Sequence, residues 1–148
     1  MLSIDTNILF HAYAEDCPDH EAAMKWMNTL IARKDIALSE FVLLEFYNLL
    51  RNPAVLKRPL TAPAAAEVIQ TYRSHPHWKV LGLPRDGQRL HDELWQYAAT
   101  AGVARRRVFD ARIAFSLIHQ GVRSFATANV KDFDGLGFER VWNPLTEV

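Results

Sequence analysis

Cysteine is almost missing from this chain of 148 residues, with Cys17 the only one. A lone thiol closes no intramolecular disulfide and builds no cysteine zinc site, so the composition suits a reducing cytosol and a cytoplasmic protein. An excess of charge of either sign is missing too, since 17 basic residues face 17 acidic ones. That balance excludes a uniformly basic glove for nucleic acid, and contact with a polyanion must come from local patches. No apolar run approaches the roughly 20 residues that cross a bilayer. The opening MLSIDTN reaches a charge at its fifth residue, which leaves no basic and then apolar leader and argues against secretion. Neither of the phosphate-cradling glycine patterns, GxxxxGKS/T or GxGxxG, occurs, which disfavours nucleotide-binding enzymes. No repeat, low-complexity tract or composition shift marks a boundary, so one domain over residues 1–148 is expected.

What is present is a regular alternation. LSI (2–4), IALS (36–39), WKVLGL (78–83) and VRSFAT (122–127) read as short strands, and the segment after Asn129 ends in a further short one. Between them lie helical patterns. Residues 18–33 carry apolar side chains at Ala23, Trp26, Met27, Leu30 and Ile31. Ser39 is placed to cap a helix running through Glu45 to about Arg51. Pro53, Pro59 and Pro63 break the next stretch into a loop, followed by helices over 63–73 and 86–101. DARIAFSLIHQG gives a mostly apolar helix with Asp110 at its start and Gly121 just past its end. Strands separated by helices predict an α/β fold with a parallel sheet covered on both faces. Ligands in such sheets sit beyond the carboxyl ends of the strands. Asp5 directly follows the first strand and Asp132 lies a little beyond the fourth, while Glu45 and Asp110 ride on helices, so four distant carboxylates are expected at one rim.

Glu45 poses the sharpest question, because FVLLEFYNLL (41–50) surrounds it with apolar side chains. Burying an unpaired carboxylate is costly enough that it usually neutralises instead. A burial next to a bound cation is the reading that explains it. Two carboxylates about 4 Å apart repel by roughly 4 kcal/mol at an effective dielectric near 20. A divalent ion reverses that balance, and oxygen-only donors favour Mg²⁺ or Mn²⁺.

The set SIDTNIL near the start, Glu45 inside an apolar helix, FDARIA around Asp110 and FATANVKDF toward the end resembles the PIN domain. It is most similar to the single-domain VapC-type ribonuclease toxins of toxin–antitoxin pairs, over nearly the whole chain. The resemblance implies a PIN-like three-layer fold, with a central parallel sheet of about four or five strands flanked by helices. It also implies a Mg²⁺- or Mn²⁺-dependent endoribonuclease acting on RNA, a homodimer, and a cognate VapB-like antitoxin. Asp5, Glu45 and Asp110 match the principal acidic metal positions, and Asp132 a fourth, less regular one. Thr6 and Thr127 match hydroxyl positions beside the site, with Asn7 and Asn129 near them. Asn129 departs from the aspartate common there, which leaves the fourth acid and a second metal open.

Each of these residues also has a plainer reading. Asp5 caps a helix, Asp110 serves a helix dipole, Asp132 is a loop acid, and Glu45 pairs with Arg112. Arg105, Arg106, Arg107 and Arg112 suit phosphate or an acidic partner, or else form a solvated basic turn. Arg51, Lys57 and Arg58 on the proline loop either border a substrate groove or are simply surface. A phosphatase of the haloacid dehalogenase type needs a second aspartate two residues after the first, and Asn7 stands there. A catalytically silent PIN-fold module that binds RNA or a protein is the alternative function.

Overall fold

The computed structural model describes residues 1–147. Its elements run β1 (Leu2–Ile4), α1 (Thr6–Tyr13), α2 (His20–Asn28), β2 (Ala37–Ser39), α3 (Glu40–Leu50), α4 (Ala62–Arg73), β3 (Lys79–Leu81), α5 (Gly87–Ala98), α6 (Arg107–Ile118), β4 (Ser124–Ala126), α7 (Val130–Phe133) and β5 (Arg140–Trp142). The alternation expected from the sequence is therefore present, with the strands over 36–39, 78–83 and 122–127 cut to three residues each, the helix over 86–101 shortened to Gly87–Ala98, and three further adjustments. Helix α2 is shorter than residues 18–33, since Pro18 and Asp19 stay in the preceding turn and the chain turns again after Asn28. Helix α6 begins at Arg107, which puts Asp110 within its first turn rather than at its start. Asp132 lies on the four-residue helix α7 rather than in a loop.

Every strand pairing is parallel. The expected single sheet of four or five strands is corrected in one respect: the five strands divide into a three-stranded sheet, β1-β4-β5, and a two-stranded one, β2-β3. The two meet edge to edge through one bridge between Leu2 and Ile36, with the Leu2 amide donating to the Asp35 carbonyl at 2.8 Å. Strands only three residues long leave no room for more pairing before α1 and α3 carry the chain away. Successive side chains of a strand point to opposite faces. All of Leu2, Ser3 and Ile4, and all of Ala37, Leu38 and Ser39, are buried, so both faces are covered at β1 and β2.

The core forms around these strands, with Ile4, Leu38, Phe46, Leu90, Leu117 and Phe125 fully buried. Local chemistry sets the helix ends. The Ser39 hydroxyl accepts from the Phe41 amide, Thr61 caps α4 ahead of Pro63, and Gly121 at φ 92° turns the chain after α6. Among the described residues no helix is long and apolar enough to cross a membrane.

Candidate metal centre

Strand register builds the centre of the site. Ile4 and Ala126 are partners on the neighbouring parallel strands β1 and β4. The next residue on each, Asp5 and Thr127, therefore leaves the sheet at the same level. The Thr127 hydroxyl donates to Asp5 Oδ2 at 2.7 Å, across 122 residues of sequence. Asp5 Oδ1 accepts from the Thr6 amide at 2.8 Å, and Oδ2 accepts also from Asn7 Nδ2 at 3.1 Å. Asp5 is thus the cap of α1, as its plainer reading holds, and at the same time the floor of a cavity. Asn7 fixes the far wall, since its Oδ1 accepts from the Ala128 amide at 3.0 Å.

The cavity encloses about 390 Å³, and Asp5, Glu45, Asp110 and Asp132 all line it, with Thr6, Asn7 and Asn129. Thr6 ties two of the acids together: its amide donates to Asp5, and its hydroxyl donates to Glu45 Oε2 at 2.8 Å. Thr127 also accepts from the Asn129 amide at 3.0 Å, which anchors the start of α7. Asn129 itself is exposed and makes that contact through its backbone.

The expectation that Glu45 is buried is overturned. Glu45 is exposed, while Val42, Leu43, Phe46 and Leu50 form the buried stripe of α3. A helix turns 100° per residue, so an apolar run of ten residues cannot all face inward. The buried carboxylate is Asp5, at 5 % exposure. Burial pushes Asp5 up to about 7, the hydrogen bonds from Thr127 and Thr6 oppose this, and the charges of Glu45 and Asp110 push it further upward. Asp110 rises to about 6, mainly by burial, then by repulsion from Asp132 and Glu45, with Arg107 opposing. Asp5 and Asp110 are thus raised in part by the negative charges around them.

The arginines named from sequence have other duties. Arg112 forms no ion pair with Glu45; its guanidinium sits 4.4 Å from the centre of the Phe41 ring. Its Nε is buried without a hydrogen-bond partner among the described residues. Arg107 donates to the Tyr97 hydroxyl at 2.6 Å, to the Lys131 carbonyl at 2.9 Å and to the Asp134 carbonyl. It therefore clamps α7, and with it Asp132, against α6. Phe10, Asn48, Leu49 and Phe133 also line the cavity and were not singled out from the sequence. Helical spacing is the signal that finds two of them: Phe10 lies four residues after Thr6, and Asn48 three after Glu45.

The donors suit a hard divalent cation. They are oxygens only, and none of the four acids joins an ion pair among the described residues. Among those residues no three acidic, histidine or cysteine side chains stand close enough together to hold a metal ion by themselves. Mg²⁺ asks for no such set, because it keeps several waters and takes one or two carboxylates directly. Asp5 and Asp110, with Glu45 and Asp132 beside them, fit that mode.

Comparison with known proteins agrees with this geometry. The PIN domain family model matches residues 2–139. Ribonuclease VapC24 of Mycobacterium tuberculosis is 50 % identical over 146 residues, covering 99 % of this chain and 98 % of that protein. Among solved structures, FitAcB from Neisseria gonorrhoeae superposes with a TM-score of 0.67 at 20 % identity, over 99 % of this chain and 100 % of that one. VapC20 of M. tuberculosis, described as a sarcin-ricin loop cleaving toxin, gives 0.62 at 16 % identity, over 84 % and 87 %. With a family match across most of its length and a near full-length relative at half identity, the chain belongs to the PIN domain family.

Proposed function

We propose that this protein is a Mg²⁺- or Mn²⁺-dependent endoribonuclease, the toxin of a toxin–antitoxin pair, hydrolysing RNA phosphodiester bonds at the acidic cavity. The observation that carries the reading is the convergence of Asp5, Glu45, Asp110 and Asp132 on one cavity with no cation among the described residues paired to any of them. The ribonuclease name of the half-identical relative supports the substrate class. Neighbours described as toxin–antitoxin complexes, among them a DNA-bound VapBC from Salmonella typhimurium, suggest the partner, a VapB-like antitoxin. Action in the cytoplasm, as a homodimer of one-domain chains, belongs to the same proposal.

In this reading Asp5 and Asp110 hold the ion and Glu45 and Asp132 complete its surroundings. Held there, Mg²⁺ or Mn²⁺ would supply Lewis-acid chemistry, activating water for attack and offsetting charge on the phosphate. The remaining work falls to the chain. Thr127, Thr6 and Asn7 hold the Asp5 carboxylate in one orientation. Thr6 does the same for Glu45, and the Arg107 clamp fixes the height of Asp132 above the floor. The test is cleavage of single-stranded RNA with Mg²⁺ or Mn²⁺, repeated with chelator and with Asp5→Ala. Cleavage that survives both treatments rejects the reading.

A further inference from the structure

The acidic cavity has no basic residue in its wall, yet the proposed substrate is a polyanion. Strand-binding affinity rests on cations that neutralise phosphates, and a chain with no net charge must supply them locally. The wall of the cavity shows where they lie. Phe10 belongs both to the cavity and to a second hollow of about 250 Å³, lined further along by Val55, Leu56 and Lys57. That hollow shares Ala14, Glu15, Asp16, Leu56 and Lys57 with a third, of about 410 Å³, which ends at Arg58. The acidic cavity and the second hollow thus adjoin at the Phe10 ring, and the second and third hollows lie side by side along the proline loop between α3 and α4.

The cations lining these hollows are exposed, although Glu15 and Asp16 line them too. Among the described residues Lys57 pairs only with Asp16, at 3.9 Å, with side chains 86 % and 80 % exposed. Such an exposed pair contributes little and is readily exchanged for another anion. Arg58 is exposed and forms no ion pair among the described residues. Arg107, by contrast, is held by Tyr97, Lys131 and Asp134 through three of its five N–H donors. Phe10 is half-buried at the junction, and an aromatic ring there offers a base a face to stack on without regard to sequence.

Resting on the ribonuclease reading, we propose that this groove is the track for the single-stranded RNA flanking the cut, with Phe10 stacking a base next to the scissile phosphate and Lys57 and Arg58 holding phosphates further along. Lys57 and Arg58 are binding residues for the substrate and take no part in bond cleavage.

The test compares wild type with Lys57→Glu/Arg58→Glu on a labelled single-stranded RNA oligonucleotide, measuring cleavage with Mn²⁺ and binding under chelator. A control pair, Arg85→Glu/Arg89→Glu, carries the same charge change off the groove, because neither residue lines any of the three hollows. The groove pair is expected to raise KM at least tenfold with kcat within twofold. Losing two phosphate contacts is expected to flatten the log–log salt dependence of binding by about 1.4. Phe10→Leu keeps an apolar side chain for packing and is expected to raise KM about fivefold, while Phe10→Trp restores it. Equal KM and salt dependence in the groove and control pairs overturn the track while leaving the ribonuclease reading intact. Absence of RNA cleavage by the wild type removes both readings.

Discussion

The Thr127 hydroxyl lies 2.7 Å from Asp5 Oδ2, although the two residues stand near opposite ends of the chain. Parallel register between β1 and β4 makes the contact unavoidable, because both residues are the first beyond paired strand ends. Thr127→Val removes a donor to a buried carboxylate and an acceptor from the Asn129 amide. It is expected to cost about 1–3 kcal/mol by chemical denaturation. Asp5 also loses a hydrogen bond that holds its pKa down, so the acidic limb of the pH–rate profile moves to higher pH. Thr127→Ser, which keeps the hydroxyl, is expected to shift neither; equal effects of both variants would rule out the hydrogen bond as the cause.

Thr6 separates positioning from packing. Thr6→Val keeps the amide that Asp5 caps and deletes the hydroxyl that holds Glu45. The expected result is a fall in kcat of about tenfold with a stability change near 1 kcal/mol, the usual worth of one hydrogen bond. Thr6→Ser restores the rate. A rate untouched by Thr6→Val, measured at saturating RNA, would show that Glu45 needs no tether.

Arg107 is expected to act at a distance from the chemistry. Its guanidinium serves Tyr97, Lys131 and Asp134 together, which a lysine ammonium cannot reproduce in the same plane. Arg107→Lys should therefore lose activity nearly as far as Arg107→Ala, and both should raise hydrogen exchange over residues 130–134. Full activity in the lysine variant would mean that charge alone matters there.

Much of this arrangement was legible in the sequence. Asp5 follows the first strand without a break, and the apolar helix was legible from Asp110 onward although it begins three residues earlier, at Arg107, so both acids could be placed at a strand-end rim. Glu45 was misread because an apolar run was taken as a buried run. The stripe Val42, Leu43, Phe46 and Leu50 passes beside it, and Leu44 is 68 % exposed. The cost of a buried carboxylate falls instead on Asp5, whose neighbours in sequence, Thr6 and Asn7, look like ordinary turn residues. The Arg107 clamp and the path from Phe10 to Lys57 and Arg58 join distant segments, and no local pattern announces contacts of that kind.

The raised carboxyls give stability a pH dependence with a definite sign. A carboxyl whose folded pKa lies above its unfolded value binds protons more tightly in the native state, so its ionisation destabilises the fold. Asp5 moves from 3.8 to about 7 and Asp110 from 3.8 to about 6. In chelator, stability should therefore fall as pH rises from about 4 to about 7, and flatten beyond that. Asp110→Asn removes one of the repelling charges and is expected to raise Tm at pH 8 by about 2–4 °C, the shift that roughly 1 kcal/mol gives in a domain of this size. A Tm that climbs over the same range in the wild type would contradict the crowding of acids.

Calorimetric titration of the wild type with Mn²⁺ at pH 6.5, in two buffers of different ionisation enthalpy, tests the shared acidic cavity most directly. Saturable binding with release of protons is expected, since metal affinity is linked to deprotonation of its carboxylates, and Asp5→Asn should abolish both. No binding, or binding of equal strength without proton release in the variant, would contradict the account.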